Sequence, residues 1–334
     1  MSTEPSFDQV LAAITDPEKP FPPHLLHRFS DLPPVEVEKL KKNWDRIPRE
    51  RILGWLEDLE DLMDSDSVVA FFEIGRLALE DPQPRVREMG IRLLWECESE
   101  DLITSLLRLL TTDPDVTVQA AAASLLGRYI FLGEMDEIPA YKQADIESAL
   151  ITRFETSYPL PLRRRAIEAL GYSSKPEITG LIQAAYSEKE TMMRASAIFA
   201  MGRSANDYWR VTVLDNLDST QPEMQLEAIR AAGELELAEA REPLLEMLDD
   251  EDMDDELLLV IAWSLSQIGG EQIQAKLMEL VENPDLDEET LDLLESAIEN
   301  LAFTASLGNF GLMDLDPESS DIEEHDYEDE PDDE

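Results

Sequence analysis

The sequence predicts an all-α array of stacked helix pairs, a solenoid, that ends in a disordered acidic tail. Helix-forming Leu, Ala, Glu, Arg and Met dominate the 334 residues, and alternating β-branched runs are nearly absent. A ten-residue pattern recurs: VREMGIRLLW ends at Trp95, VQAAAASLLG at Gly127, LRRRAIEALG at Gly171, MRASAIFAMG at Gly202, MQLEAIRAAG at Gly233, VIAWSLSQIG at Gly269 and LLESAIENLA at Ala302. The intervals are 32, 44, 31, 31, 36 and 33 residues, the period of a helix-pair repeat with one insertion.

The columns of this pattern have physical reasons. Five positions before each end stand Gly90, Ala122, Ala166, Ala197, Ala228, Ser264 and Ala297, all small, as closely crossing helices require. The next position holds Ile91, Ala123, Ile167, Ile198, Ile229, Leu265 and Ile298. Nine positions before the end stand Val86, Val118, Leu162, Met193, Met224, Val260 and Leu293, one turn-spaced apolar face with the small column. The terminal glycines suit a helix C′ position with positive φ. Gly202-Arg203-Ser204 therefore reads as a helix terminus; no strand or Gly-rich segment precedes it, as a phosphate loop would need.

The elements follow in order. Residues 1–48 are punctuated by proline, with short helices expected near 22–29 and 34–45, and form an N-terminal cap over the first repeat's open face. The repeats occupy 49–303. Their first, degenerate pair turns Trp55, Leu59, Phe71 and Ile74 inward. Partner helices of similar pattern lie between the rows, as in DLITSLLRLL, REPLLEMLDD and EQIQAKLMELVENPD. Asp81-Pro82, Asp113-Pro114 and Asn283-Pro284 mark junctions, where an Asx cap before a first-turn proline starts a helix well. Residues 304–334 are polar, acidic and without period, the composition of a disordered tail.

Charge bounds the partners. Acids number 75 against 27 bases, a formal net of −48, and no Lys or Arg follows Lys276. Such a chain repels nucleic-acid phosphates and anionic membranes, and attracts basic proteins. The single cysteine, Cys97, allows no intrachain disulfide, in keeping with a reducing compartment. The N-terminus lacks the pattern of a secretory signal, and no apolar run approaches the ~20 residues of a membrane span. A soluble, cytoplasmic, monomeric protein is expected.

Asp-Pro, then Val-Arg, a small residue and Leu-Gly resemble the HEAT repeat, in particular its short-period bacterial variety, the PBS-lyase HEAT-like repeat. The matching residues are Asp81, Pro82, Val86, Arg87, Gly90 and Leu94, then Asp113, Pro114, Val118, Ala122, Leu126 and Gly127; the likeness extends from about 81 to 302. The resemblance implies a polar Asp–Arg ladder along the stack. Its Arg position holds Arg87, Gln119, Arg163, Arg194, Gln225, Ile261 and Leu294, so the ladder is lost in the last two rows, as at an end cap. It also implies that the second helix of each pair lines a concave, protein-binding groove.

Enzymatic members of the family set tests. Deoxyhypusine hydroxylases carry His-Glu dipeptides for two irons; here His24, His27 and His325 are followed by Leu25, Arg28 and Asp326. HEAT-like DNA glycosylases need a basic face, whereas bases here are sparse beyond Lys39, Lys41, Lys42 and Arg163–Arg165. A bilin-lyase-like or other chromophore-handling role needs only a cleft, and no residue argues for it. His24 and His27 share a helical face but lack further metal ligands, Cys97 has no base beside it, and the acids of 249–258 lack the spacing of a calcium loop. No catalytic, cofactor or metal residue is therefore assigned. The expected function is a non-enzymatic scaffold that grips a protein with a basic surface. Its candidate contacts are Arg128, Tyr172, Arg203, Tyr208 and Trp209 at helix ends, and Phe310, Leu312, Met313 and Tyr327 in the tail. Acidity as salt adaptation alone ranks behind these, because the excess is concentrated at the C-terminus.

Overall fold

The computed structural model describes residues 5–249, 253–282 and 286–309, and every regular element among them is helical. The chain divides into two compact units, Met1–Ala240 and Arg241–Glu334. Phe310, Leu312, Met313 and Tyr327, with most of the expected tail, lie outside the described residues.

The first unit opens with α1 (Phe7–Thr15), a 3-10 helix (Pro23–Phe29) and α2 (Pro34–Asn43), whose buried side chains share one core with those of α3 (Arg49–Ser65). Aromatic residues form the joint: the Phe29 ring lies 4.8 Å from Trp55, and Trp44 lies 6.0 Å from it on centroids. Arg51 of α3 donates to the carbonyls of Ala13 at 3.1 Å and Ile14 at 2.9 Å. It thereby satisfies carbonyls that the end of α1 leaves without intrahelical partners.

Five helix pairs follow. They are α4 (Phe72–Ala78) with α5 (Pro84–Arg92), α6 (Leu102–Thr112) with α7 (Val116–Glu134), α8 (Ala140–Phe154) with α9 (Leu160–Leu170), α10 (Pro176–Tyr186) with α11 (Thr191–Arg203), and α12 (Arg210–Asp215) with α13 (Pro222–Glu234). The second helices, α5, α7, α9, α11 and α13, stack in sequence as one row, here row B, with α3 against its first member. The long interval in the repeat is taken up by α7 and α8, of 19 and 15 residues. α7 is also long and apolar enough to span a membrane by length and composition, but 56% of its most apolar window is buried in the unit and Arg128 interrupts it.

The sequence columns lie in the core of this unit. Val86, Val118, Leu162, Met193 and Met224 are buried, as are Gly90, Ala122, Ala166, Ala197 and Ala228. Trp55, Leu59, Phe71 and Ile74 are buried too.

The glycines behave otherwise than expected. Gly127, Gly202 and Gly233 lie within helices, and Gly171 caps α9 at φ −53°. Gly127, Gly171 and Gly202 are small because the next helix of row B is close. A Cβ on Gly127 would stand 2.9 Å from the Ala169 Cα, one on Gly171 2.9 Å from the Ala200 Cα, and one on Gly202 2.8 Å from the Ala231 Cα. Each glycine thus faces an alanine two positions before the next glycine. The left-handed turns beyond the helices fall to Asp136, Ala205 and Glu236, at φ 61°, 47° and 50°. The GRS segment is the end of α11, whose cap is Ser204.

The Asp-Pro junctions differ as well. Asp81 and Asp113 are not the caps of α5 and α7, which are Gln83 and Asp115. Each aspartate closes a turn ahead of the helix, accepting from the backbone N–H two residues on, at 2.8 and 2.9 Å. Asn283-Pro284 lies outside the described residues.

The second unit contains α14 (Arg241–Met247), α15 (Asp255–Ile268), α16 (Glu271–Val281) and α17 (Glu288–Asn309), with α15 packed on α17. α17 continues past Phe303, where the repeats were expected to end. Here the apolar column slips by one residue. Val260 is only half-buried and Leu293 is 48% exposed, whereas Ile261 and Leu294 are fully buried. With an aliphatic side chain where earlier rows carry Arg or Gln, the helix turns that position inward, a rotation of about 100° per residue. Gly269, at φ 70°, is the one terminal glycine of the pattern that does end its helix in the positive-φ region.

Candidate functional site: the exposed face of row B

Beneath the surface runs the polar ladder. Asp81 accepts from Arg49 at 2.6 Å and from the Trp44 indole at 2.8 Å. Burial alone would raise its pKa, but the Gln83 N–H, Trp44 and Arg49 hold the carboxyl below its ordinary range. Arg87 forks onto both oxygens of Asp113 at 2.7 Å and also donates to the carbonyls of Asp81 and Pro82. Gln119 donates to the Asp113 carbonyl at 2.6 Å. Arg163 donates to the Phe154 carbonyl at 3.0 Å and pairs with Glu188. Arg194 lies over the Tyr186 ring at 5.2 Å, and Gln225 donates to the Leu217 carbonyl at 2.9 Å. These side chains tie each row B helix to the turn before it or to the following repeat. Arg49 extends the ladder upstream of the clear repeats. It ends where Ile261 and Leu294 replace its donors.

The exposed face of row B carries a second, lateral set of contacts. The Phe131 ring of α7 lies 5.6 Å from Tyr172, at the end of α9. The Arg203 guanidinium of α11 sits 4.5 Å from the centre of Tyr172 and 4.3 Å from that of Phe199. Arg230 of α13 is 5.9 Å from the Phe199 ring. Rings and guanidinium groups thus form one strip across four successive row B helices. Carboxylates flank it. Glu168 accepts from Arg165 at 2.6 Å and from Ser196 at 2.5 Å, and Glu227 accepts from Arg230 at 2.7 Å.

The charges of the strip are removed from water before they are fully paired. Arg203 Nε stays 3.8 Å from Glu234, too far for a hydrogen bond. Burial pushes Glu234 up to about 7 against the pull of Arg203 and Arg230, and pushes Glu227 up as well. Burial also lowers the pKa of Arg203.

The sequence candidates divide accordingly. Tyr172 and Arg203 are brought together in the strip. Arg128 is one turn from Phe131 but is held at 3.1 and 3.0 Å by Glu96 and Glu98. Tyr208 is exposed. Trp209 is fully buried, which removes it from any surface: Asn206 caps a 3-10 turn over Asp207–Trp209 that turns the indole inward beneath Tyr208. Phe131, Phe199 and Arg230 escaped the sequence reading. The signal that would have found them is the three- to four-residue spacing of Phe199 and Arg203, and of Glu227, Arg230 and Glu234, on one helical face. Cys97 is buried, and contrary to expectation a base stands beside it, the Arg76 guanidinium at 3.8 Å. His27 lies 3.7 Å from Asp66.

No curated protein sequence matches the chain. Among solved structures, the Escherichia coli YibA protein is similar at a TM-score of 0.43 and 16% identity, covering 86% of this chain and 98% of its own. Human deoxyhypusine hydroxylase is similar at 0.36 and 14%, covering 89% and 96%. Kap95p, in its complex with RanGDP, is similar at 0.42 and 11%, covering 95% and 49%. At such scores these neighbours carry no functional argument. The family model described as HEAT repeats matches residues 211–299. The chain thus carries HEAT repeats over residues 211–299, and the paired helices and arginine ladder upstream follow the same plan.

Proposed function

We propose that this chain is a non-enzymatic protein-binding scaffold that holds an extended basic segment of a partner along the exposed face of row B. The observation that carries this reading is the strip Phe131–Tyr172–Arg203–Phe199–Arg230, which joins four repeats on one face. Aromatic faces that are partly desolvated, with the incompletely paired Glu234 carboxylate beside them, gain most from cationic side chains that complete their contacts. The formal charge of −48 supports a basic partner, through long-range attraction that does not depend on detailed fit. The acidic residues beyond Asn309 are proposed to tether the same partner.

The test is affinity purification with the full chain and with a Phe131→Ala, Tyr172→Ala, Phe199→Ala triple variant, with circular dichroism to establish that both are folded. Loss of the captured basic proteins from the folded variant is expected. Capture of the same proteins at the same yield would overturn the proposal. Removing residues 310–334 should weaken capture at low salt and have no effect at 1 M, where the Debye length is ~3 Å.

A further inference from the structure

The row B face also presents a tryptophan outside the strip. Trp44, Trp55 and Trp209 are buried, but Trp95, in the turn after α5, is 43% exposed. It walls a cleft of about 550 Å³ with Met63, Glu60, Asp64, Arg92 and Glu96. Three carboxylates there meet one guanidinium, and that guanidinium is already engaged: Arg92 donates to Glu60 at 2.6 Å. Glu96 shares Arg128 with Glu98, at 3.1 and 3.0 Å. The Asp64 side chain is exposed and makes no hydrogen bond or ion pair among the described residues.

An exposed indole, a thioether and under-paired carboxylates define the complement of one kind of side chain. A long aliphatic stem fits along Met63 and Trp95, and a terminal cation fits over the indole face and against Asp64 and Glu96. A neutral apolar side chain would leave the carboxylates unmatched, and an anion would meet three like charges. Resting on the reading that the partner is basic, we propose that the Met63–Trp95 cleft receives a lysine or arginine side chain of the bound segment.

The test uses the full-length chain and fluorescein-labelled decalysine, followed by anisotropy at 150 mM salt, with decaglutamate as the opposite-charge control. Trp95→Ala is expected to weaken decalysine binding roughly 3- to 30-fold, and Trp95→Phe less, because indole is the better cation platform. Asp64→Asn, at an exposed position that leaves the core untouched, should weaken it by a smaller factor. Trp263→Ala, at another partly exposed tryptophan, should leave it unchanged. The Trp95 indole N–H resonance, assigned through Trp95→Phe, should shift on titration. Decalysine binding that is unaltered in Trp95→Ala and Asp64→Asn would overturn the cleft assignment while leaving a basic partner in place. Failure of decalysine to bind the wild-type chain at any salt concentration would overturn both.

Discussion

The glycines of row B offer a substitution whose sign depends on position. In a helix interior, alanine is favoured over glycine by about 0.8–1 kcal/mol, so Gly→Ala should stabilise wherever space allows. Gly54 in α3 and Gly180 in α10 have nothing within 4 Å of the position a Cβ would take. At both sites alanine is expected to stabilise by up to ~1 kcal/mol. At Gly127 the new Cβ would lie 2.9 Å from both the Cα and the Cβ of Ala169. Carbon atoms in ordinary contact stand about 3.5–4.0 Å apart, so α7 and α9 must part. Overpacking of this kind costs about 1–3 kcal/mol, which offsets the helical gain and leaves a net loss of roughly 0–2 kcal/mol. Urea denaturation followed by circular dichroism measures both signs, and amide exchange across α7 and α9 localises the loss. Gly127→Asn should be worse still, because its side chain is larger and the site does not demand a left-handed backbone. If Gly127→Ala stabilised as much as Gly54→Ala, or if Asn were tolerated best, the close-approach explanation would be wrong.

Further expectations concern the ladder, the strip and the buried tryptophan. Arg87→Met leaves the Asp113 carboxylate buried without its guanidinium and should cost about 3–5 kcal/mol in urea denaturation, part of it recovered by adding Asp113→Asn. For Glu234, the folded pKa of about 7 lies above that of an ordinary carboxyl, so the folded state binds more protons. Stability should therefore fall as pH rises from about 4.5 to about 7; Glu234→Gln should flatten this slope and stabilise the chain at pH 8 by on the order of 1–3 kcal/mol. Trp209→Ala should cost about 3–5 kcal/mol in thermal or urea unfolding, whereas exposed Tyr208→Ala should cost less than about 1 kcal/mol.

The helix pairs were legible because packing constrains residue type strongly. Only small side chains fit where helices cross, so the column from Gly90 to Ala228 could be seen without coordinates. The glycine positions were legible too, but not their cause. A glycine required by positive φ and one required by a neighbouring alanine look alike in a sequence, and here Ala205 and Glu236 take the left-handed turns instead. The one-residue slip in α15 and α17 was hidden because Val260-Ile261 and Leu293-Leu294 are adjacent apolar pairs, and either member can face the core. Tyr208-Trp209 posed the same difficulty at a helix end, which the Asn206 cap resolves by turning one ring outward and the other inward. The strip was half legible: Tyr172 and Arg203 stood out beside helix ends. Phe199, within an apolar segment, could not be told from a core residue until neighbouring helices placed Arg203 and Arg230 against its ring.

The most direct test of the binding role is site-specific photocrosslinking in cells. A benzophenone amino acid would replace Phe199 on row B in one variant and the exposed Val211 of α12 in another. Crosslinks to a basic protein from position 199, and none from position 211, are expected. Crosslinks from position 211 with none from position 199 would contradict a partner seated on the exposed face of row B.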